Sequence, residues 1–333
     1  MQPSFSLLQS EWWSRVRERQ GWQRLGDRTN GPVVLQRSVG PVRFAYAPHA
    51  FHGESSAEPI GSYVDRLRRI AADRESEAPH LIRWDVPWES AAFDAAVAES
   101  AGLRRAPVRV QPPNTVVVDL SPEEEEIMAA MKGKTRYNVR LAAKKGVTVA
   151  RFSGAAAPAE VPRWYRLYQE TARRDQIAIH PLHYYQDVVE TAVSMRAAGE
   201  PAPVVTLYMA THEDDLLSGI LVTSYQGVST YLYGAGANMK RNLMASYLIQ
   251  WEAMRDAKAA RDIAYDMFGI PPSDDPSHPM HGLYRFKTGF GGAVINRPGC
   301  WDVVQARVVG GAFRAAERAR QWYHHDLKKR FRR

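Results

Sequence analysis

One lysine near the end of the sequence lies in an unusual setting. Lys287 is bracketed by Phe286 on one side and by Thr288-Gly289-Phe290 on the other. Surface lysines usually stand among other charges, whereas these neighbours would partly desolvate an ammonium group and hold it in place. Such an ammonium is suited to binding an anion or to stabilising negative charge that develops during a reaction. The alternative is a lysine whose alkyl chain packs over a core aromatic ring while its charge reaches solvent.

A second stretch concentrates positive charge. Residues 132–145 contain six Lys and Arg residues and no acid, and residues 136–145 are predicted to form a helix that Gly146 ends. On that helix Arg136, Arg140 and Lys144 follow the spacing i, i+4, i+8 and share one face. A one-sided basic stripe suits the phosphate backbone of a nucleic acid, although a solvated helix face would show the same pattern.

Other kinds of site receive little support from the sequence. The chain contains no G-x-S-x-G elbow, no phosphate-binding G-x-x-x-x-G-K-[ST] loop and no G-x-G-x-x-G loop after a strand. Three histidine pairs have the spacing i, i+3, but each includes or adjoins prolines and loops, and Cys300 is the single cysteine. We therefore expect neither a metal nor an organic cofactor. The three pairs are His49/His52, His180/His183 and His278/His281.

Composition favours a two-domain protein of the cytoplasm. The chain has 333 residues and 45% hydrophobic residues, enough for two packed domains. A single cysteine is consistent with a reducing compartment, and neither a signal peptide nor an apolar run of about 20 residues is apparent. Residues 314–333 contain eight Lys and Arg against Glu317 and Asp326, so this tail carries most of the net charge of +8. The tail indicates a polyanionic partner, unless it is simply a solvated helix end.

The order of the predicted elements indicates one α/β unit used twice. Residues 33–37 and 42–47 are predicted to form a hairpin, followed by a helix over 60–72 and a strand over 81–85. Residues 204–233 are predicted to form a meander, followed by a helix over 246–259 and a strand over 263–268. Hairpin, helix and strand thus occur twice, as expected for two similar domains with mixed sheets.

Another helix start is predicted before the basic stretch. In Ser121-Pro122-Glu123-Glu124, the serine hydroxyl would cap the helix, proline suits the first helical position, and Glu124 would complete a capping box.

Five groups of residues follow one another in a recognisable order. They are Leu8-Gln9-Ser10 with Trp13; Phe44-Ala45-Tyr46-Ala47-Pro48; the basic stretch from Lys132 to Val147; Tyr231-Leu232-Tyr233-Gly234-Ala235 with Ile249-Gln250-Trp251; and Tyr265-Asp266 and Gly269-Ile270 with Phe286-Lys287 and Gly289-Phe290. Together they resemble the hallmark segments of the FemABX peptidyltransferases, over nearly the whole chain. Members of that family move an amino acid from aminoacyl-tRNA onto the stem peptide of a peptidoglycan precursor.

The resemblance implies roles for individual residues. Phe286 and Lys287 match a pair linked to transfer. Asp85 matches an acid that either orients the acceptor amine or forms a structural ion pair. Arg17, with Arg15 as the fallback, matches a basic residue that contacts the diphosphate of the precursor.

Further roles follow from the same resemblance. His180 stands where the family has a phosphate-binding arginine, so the permanently charged, bidentate clamp is missing and the acceptor should be gripped differently. Tyr184 and Tyr233 match tyrosines that contact substrate, with a purely structural role as the alternative. The residues predicted to contact tRNA are Lys134, Arg136, Arg140 and Lys144.

The resemblance also implies an architecture and a set of partners. The fold class is α/β with mixed sheets, in two acetyltransferase-like (GNAT-type) domains. Residues 1–112 with 299–333 would form the first domain, which binds the acceptor and its nucleotide. Residues 113–298 would form the second domain, which completes the acceptor cleft and carries the transfer site. The partners would be aminoacyl-tRNA and UDP-MurNAc-pentapeptide or lipid II, for a monomer whose basic tail could also contact an anionic membrane.

Three alternative functions remain open from the sequence. An acyl-CoA-dependent N-acetyltransferase would have the same fold, but its pyrophosphate loop usually contains glycine, and the corresponding residues 238–245 contain none. A peptide natural product could replace the peptidoglycan precursor as the acceptor. An RNA-binding module would use the same basic stripe, but it would have no use for a lysine in the setting of Lys287.

Overall fold

The computed structural model describes residues 5–72 and 77–323, in which strands and helices alternate. The strands in these ranges are β1 Gln23–Leu25, β2 Val34–Val39, β3 Val42–Pro48, β4 Leu81–Asp85, β5 Leu103–Arg105, β6 Asn114–Asp119, β7 Thr148–Ser153, β8 Val204–His212, β9 Asp215–Tyr225, β10 Val228–Gly236, β11 Ala264–Asp266, β12 Ala293–Asn296 and β13 Cys300–Val304. The α-helices are α1 Glu11–Glu18, α2 Ile60–Ala72, α3 Ala95–Ser100, α4 Glu124–Ala130, α5 Gly133–Lys144, α6 Ala157–Asp175, α7 Leu182–Ala197, α8 Ala245–Ala259, α9 His281–Thr288 and α10 Arg307–Trp322.

The chain divides into two compact units. The described residues within 5–113 and 296–323 form one of them, called here the N-terminal unit. Residues 114–295 form the central unit. These divisions lie close to the predicted boundaries at 112/113 and 298/299, and the functions assigned to the two domains stay predictions.

The N-terminal unit is built on a six-stranded sheet. Its strand order is β1-β2-β3-β4-β13-β5, with β3 and β4 parallel and β13 antiparallel to both of its neighbours. Helix α2 packs its apolar face, including Tyr63, Val64 and Leu67, against the sheet beside Trp84. Burial of these side chains from both layers provides the core of the unit.

The central unit contains a seven-stranded sheet. Its order is β12-β6-β11-β10-β9-β8-β7, with β10 and β11 parallel and β9 antiparallel to β10 and β8. Helix α8 is buried along much of its length, and its Ile249 shares one apolar cluster with Tyr265 of β11 and Phe290. The core thus fixes α8 beside the point where β10 and β11 meet.

The predicted repetition of hairpin, helix and strand is confirmed. In the N-terminal unit the hairpin β2–β3 leads through α2 to β4, which pairs in parallel with β3. In the central unit the hairpin β9–β10 leads through α8 to β11, which pairs in parallel with β10. Both units are therefore mixed-sheet α/β domains, as the sequence predicts.

The predicted first residues of helices α4 and α5 differ from the observed ones. Helix α4 begins at Glu124, and its capping box joins Glu123 to Glu126 instead of using Ser121. The hydroxyl of Ser121 donates instead to the Asp119 carboxylate at 2.7 Å, because that acid ends β6 two residues earlier. Helix α5 begins at Gly133, three residues before the prediction, and its end near Gly146, which has a φ of +80°, agrees with the prediction.

Among the described residues, no helix is long and apolar enough to cross a membrane.

Candidate active site

A cleft of about 880 Å³ opens in the central unit. Strand β11 pairs with β10 only from Val228 to Thr230. On the other side of β10, its pairing with β9 shifts register between Tyr231 and Tyr233. Strand β10 continues to Gly236, so its second half has no β11 beside it and forms one wall of the cleft. Side chains from three helices complete the lining, among them Tyr168 and Arg174 of α6, Ser246 and Gln250 of α8, and Phe286 and Lys287 of α9.

Lys287 is buried where this cleft meets the end of β11. Its side chain is 6% exposed, and Nζ donates hydrogen bonds to the carbonyl oxygens of three successive residues. Nζ also lies 5.0 Å from the centroid of the Tyr231 ring. The alternative of a lysine that carries its charge to solvent is therefore wrong. The three carbonyl oxygens belong to Met267 at 2.6 Å, Phe268 at 3.2 Å and Gly269 at 3.0 Å.

Asp266 shapes the turn that supplies these carbonyl groups. Its Oδ1 accepts the backbone N–H of Phe268 at 2.8 Å and a hydrogen bond from the hydroxyl of Thr115. Phe268 has a φ of +56°, in the left-handed region, which turns the chain sharply as β11 ends. The turn brings three successive carbonyl oxygens to one point, and an ammonium has three protons to offer them.

The surroundings of Lys287 bring its pKa close to neutral pH. Burial lowers the pKa of Lys287 to about 7, and the negative charge of Asp266 acts in the opposite direction. The ammonium and the neutral amine therefore both exist near neutral pH. A titratable group with a strongly shifted pKa in a cleft is a candidate for chemistry.

Phe286 forms the wall next to this lysine. Its ring packs edge-on against Tyr247 and Phe290, with centroid separations of 5.1 Å and 5.4 Å. Because the same side chain lines the cleft, it limits access of water to the region around Lys287. The structure brings the predicted pair together at the cleft, and their part in transfer stays a prediction.

His180, Tyr184 and Tyr233 form one aromatic group. The hydroxyl oxygens of Tyr184 and Tyr233 lie 2.9 Å apart, and the His180 ring stacks on Tyr184 with a centroid separation of 3.9 Å. Burial raises the pKa of Tyr233 well above its ordinary value, so the phenol stays protonated. Tyr233 lines the cleft, whereas Tyr184 is buried behind it. Contact of these three residues with substrate stays a prediction.

Gln250 is a cleft residue to which the sequence assigned no role. Its Oε1 accepts a hydrogen bond of 2.8 Å from the hydroxyl of Tyr265, and burial raises the pKa of that phenol well above its usual range. The phenol therefore remains a donor and fixes the orientation of the amide, which leaves the amide nitrogen of Gln250 as the donor end. The only available signal was the segment Ile249-Gln250-Trp251, which resembled a family block.

One residue of the predicted tRNA-binding stripe forms hydrogen bonds within the protein. The guanidinium of Arg136 donates to the carbonyl oxygens of Ala129, at 2.7 Å, and Met131, so it caps the end of α4. Lys134, Arg140 and Lys144 are exposed. Arg136 thus has a structural role in the protein itself, and contact of all four basic residues with tRNA stays a prediction.

The loop before α8 modifies the argument against coenzyme A. Although residues 238–245 contain no glycine, Lys240 and Met244 adopt left-handed conformations with φ of 47° and 56°. The loop borders a second cavity of about 480 Å³, also lined by Arg241. Lack of glycine thus does not prevent sharp turns here, so it does not by itself exclude an acyl-CoA enzyme.

The two arginines predicted to bind diphosphate lie in the N-terminal unit. The guanidinium of Arg17 packs over Trp22 at 5.0 Å from the ring centroid and donates to Gln20 at 2.9 Å. Arg15 forms an ion pair of 3.2 Å with Glu11. Neither contact tests diphosphate binding, which stays a prediction for both.

Asp85 is a buried carboxylate of the same unit. It is 3% exposed, with Oδ1 accepting from the Cys300 thiol at 2.6 Å and Oδ2 from the Tyr46 hydroxyl. Burial raises the pKa of Asp85, while these two hydrogen bonds act in the opposite direction. The two hydrogen bonds come from a thiol and a phenol, and the positive charges of Arg83 and Arg297 also lower the pKa of Asp85, so a structural ion pair stays a prediction. A role in orienting the acceptor amine stays a prediction.

The three histidine pairs do not assemble into a larger group of ligands. Among residues 5–72 and 77–323, no set of three or more His, Cys, Asp or Glu side chains is placed to hold a metal ion. His281, for example, begins helix α9 and contacts Asp274 at 2.6 Å.

Known proteins resemble this chain along most of its length. The lipid II:glycine glycyltransferase of Staphylococcus epidermidis is 21% identical over an alignment of 373 positions, gaps included. The alignment covers 91% of this chain and 88% of the relative. The enzyme of the same name from Staphylococcus haemolyticus is 23% identical over 378 residues, with the same coverage.

Solved structures show the same fold. The crystal structure of FemX has a TM-score of 0.77 at 18% identity and covers 94% of this chain and 95% of its own. The C-terminal domain of a putative lysylphosphatidylglycerol synthetase from Agrobacterium fabrum has a TM-score of 0.56 at 12% identity, covering 93% and 92%. The predicted fold class, α/β with mixed sheets in two domains, is confirmed. The sequence pattern of the FemAB family matches residues 94–192 and 205–318, more than half of the chain, and this protein belongs to that family.

Proposed function

We propose that this protein moves an amino acid from aminoacyl-tRNA to a primary amine in the stem peptide of a peptidoglycan precursor. That it is a transferase follows from its family. The tRNA donor, the precursor (UDP-MurNAc-pentapeptide or lipid II) and action in the cytoplasm as a monomer belong to the proposal. The printed activity of its relatives, lipid II:glycine glycyltransferase, supports a peptidoglycan acceptor.

The observation that carries the proposal is the buried ammonium of Lys287 at the cleft. In aminolysis of an ester, the amine nitrogen attacks the carbonyl carbon and an oxyanion forms. The bond to the ribose oxygen then breaks, an amide remains, and a proton from the amine ends on the ribose hydroxyl. A fixed cation stabilises the negative charge as it moves from the carbonyl oxygen to the ribose oxygen, most effectively where water is excluded.

The remaining chemistry requires mainly alignment of two reactants. The ester of aminoacyl-tRNA is already activated, so holding the amine and the ester in reacting geometry supplies much of the rate enhancement. The amide nitrogen of Gln250, oriented by Tyr265, provides a hydrogen-bond donor to polar groups of the acyl chain in the same cleft. Neither a metal nor an organic cofactor is needed for this reaction.

Transfer of labelled amino acids tests the proposal directly. Purified protein is incubated with a mixture of labelled aminoacyl-tRNAs and, separately, UDP-MurNAc-pentapeptide, lipid II or a free peptide with a primary amine. Label should move to at least one of the two peptidoglycan precursors. Transfer to the free peptide alone would favour a natural-product acceptor, and acetyl transfer from acetyl-CoA would favour an N-acetyltransferase. Binding of tRNA without transfer to any amine would favour an RNA-binding module.

The pH dependence of the contribution of Lys287 distinguishes a cationic role from a basic one. With a pKa of about 7, the ammonium predominates below neutral pH and the amine above it. We expect the ratio of wild-type turnover to that of Lys287→Met to fall as pH rises through 7, approaching tenfold per pH unit. Taking the ratio cancels ionisation of the acceptor amine, which both proteins share. A ratio that rises with pH would instead indicate that neutral Lys287 acts as a base.

Unfolding provides a check that needs no activity. The folded-state pKa of about 7 lies below the value of about 10.4 for an unfolded lysine, so the unfolded state binds more protons between these limits. The free energy of unfolding of the wild type, relative to Lys287→Met, should therefore rise as pH increases from 7 to about 10. A flat difference over this range would assign any transition in the turnover ratio to another group.

A further inference from the structure

Helix α10 of the N-terminal unit turns charged side chains towards the sheet. Arg314 is 8% exposed and donates to the Asp302 carboxylate at 2.8 Å and to the carbonyl oxygen of Arg105 at 2.9 Å. Glu317 accepts a hydrogen bond of 2.6 Å from the guanidinium of Arg83, which is 1% exposed. The inner face of α10 is thus held by ion pairs as well as by the ring of Phe313, which packs against Phe44 at a centroid separation of 5.7 Å.

The opposite face of α10 carries an apolar stripe. Val308 is 84% exposed and Trp322 is 58% exposed, and three of the exposed alanines between them lie on the same face. The spacing i, i+4, i+7, i+11, i+14 puts all five side chains on one side of the helix. Single exposed apolar residues are common, but a stripe along four turns is not. We call Val308, Ala312, Ala315, Ala319 and Trp322 the outer stripe.

Arginines stand along both edges of the outer stripe. Arg307 and Arg318 lie on one side of it and Arg320 on the other, and all three are exposed. The acidic residue of the helix, Glu317, faces inward and is paired with Arg83. An apolar stripe between cationic edges is the pattern of a helix that lies in the boundary between lipid headgroups and acyl chains.

We infer that the outer stripe docks this protein onto the surface of an anionic phospholipid bilayer. Val308 and Trp322 enter the headgroup boundary, and Arg307, Arg318 and Arg320 bind lipid phosphates. The charge of the edges selects an anionic surface over an apolar protein partner, because each arginine near such a surface adds to the attraction. The sequence continues with five more Lys and Arg residues in 324–333, outside the described residues. The basic tail was predicted to contact membrane, and the inference names the outer stripe as the surface that does so.

The inference deepens the proposed function, since a protein held at a bilayer meets a lipid-linked acceptor more readily than a nucleotide-linked one. It can nevertheless be tested without turnover. Transfer of amino acids without binding to vesicles would support the proposed function and contradict this inference. Binding to vesicles through the outer stripe without transfer would contradict only the proposed function.

Co-sedimentation of the full chain with vesicles provides the test. Wild-type protein should bind vesicles of equal phosphatidylglycerol and phosphatidylcholine at about 0.1 M salt, and binding should weaken strongly at about 0.5 M salt. It should bind vesicles of phosphatidylcholine alone at least tenfold more weakly. Val308→Ser combined with Trp322→Ser should reduce binding to the anionic vesicles at least tenfold. Both side chains are exposed, so circular dichroism should show an unchanged fold.

Val97→Ser serves as the matched control, because Val97 is a 51% exposed valine on helix α3 of the same unit. This variant should bind like the wild type. Unchanged binding of the Val308→Ser, Trp322→Ser protein would overturn the inference and assign any vesicle binding to the basic tail alone. Absence of wild-type binding would overturn it as well. If light scattering then shows a dimer that this double variant dissociates, the stripe is an interface between two copies of the chain.

Discussion

Replacement of Lys287 by methionine should lower the turnover number of amino-acid transfer by roughly 10²–10³-fold, the loss typical when one group that stabilises an oxyanion is removed. Its three N–H groups already donate to carbonyl oxygens, so the ammonium acts through its charge. The ammonium is 6% exposed, is held by three carbonyl oxygens and lines the cleft, so its position is fixed before any substrate arrives. A fixed charge costs no reorganisation when the oxyanion forms, which is why its loss should appear in turnover. Steady-state transfer assays with labelled aminoacyl-tRNA measure the effect.

Lys258→Met is the matched control for this experiment. Lys258 also lies on a helix of the central unit and also donates to a backbone carbonyl, that of Leu120 at 3.2 Å, but it does not line the cleft. Its replacement should leave turnover within about twofold of the wild type. Turnover of Lys287→Met equal to that of the control would exclude the lysine from the chemistry. Thermal unfolding of both variants shows whether either effect is merely structural.

Local patterns were sufficient to predict the repeated unit. The segments 33–37 and 42–47 indicated the hairpin β2–β3, and the helix over residues 60–72 was predicted with its observed bounds. Pairing between strands that are distant in the sequence could not be predicted in the same way. Nothing in the residues of β13 indicates that it inserts between β4 and β5, because such pairing depends on the packing of the entire sheet.

The setting of Lys287 shows the same limit at the site. Its flanking aromatics correctly suggested a desolvated ammonium, but the partners that hold it are backbone carbonyl oxygens about twenty residues earlier in the chain. Every residue has a carbonyl group, so the sequence carries no mark of which ones will point inward. The carbonyl oxygens at the end of α4 to which Arg136 donates were equally invisible in the sequence.

The ion pairs that hold α10 to the sheet were also invisible in the sequence. Arg83 bonds both oxygens of Asp302, at 2.8 Å and 3.1 Å, across 219 positions of the chain. The sequence treated residues 314–333 as a charged tail, yet Arg314 and Glu317 are fixed against the N-terminal unit. A charge count cannot separate residues that solvate a surface from residues that anchor a helix.

Removal of the central charge of this network should have a large effect on stability. Asp302 is 0% exposed and lies between the guanidiniums of Arg83 and Arg314. Asp302→Asn keeps the shape of the side chain but leaves two buried cations facing an amide, so the free energy of unfolding should fall by about 3–5 kcal/mol. Urea unfolding followed by tryptophan fluorescence and circular dichroism measures the change.

The same substitution at Asp65 separates burial from charge. Asp65 pairs with Arg68 at 3.0 Å on helix α2 of the same unit, but their side chains are 67% and 43% exposed. Water screens this pair, so Asp65→Asn should cost less than about 1 kcal/mol. If Asp302→Asn lowers the free energy of unfolding no more than Asp65→Asn does, the buried ion pairs do not hold α10 in place. Loss of the charge of Asp302, which is 0% exposed, would destabilise the protein far more if these ion pairs contributed to its stability.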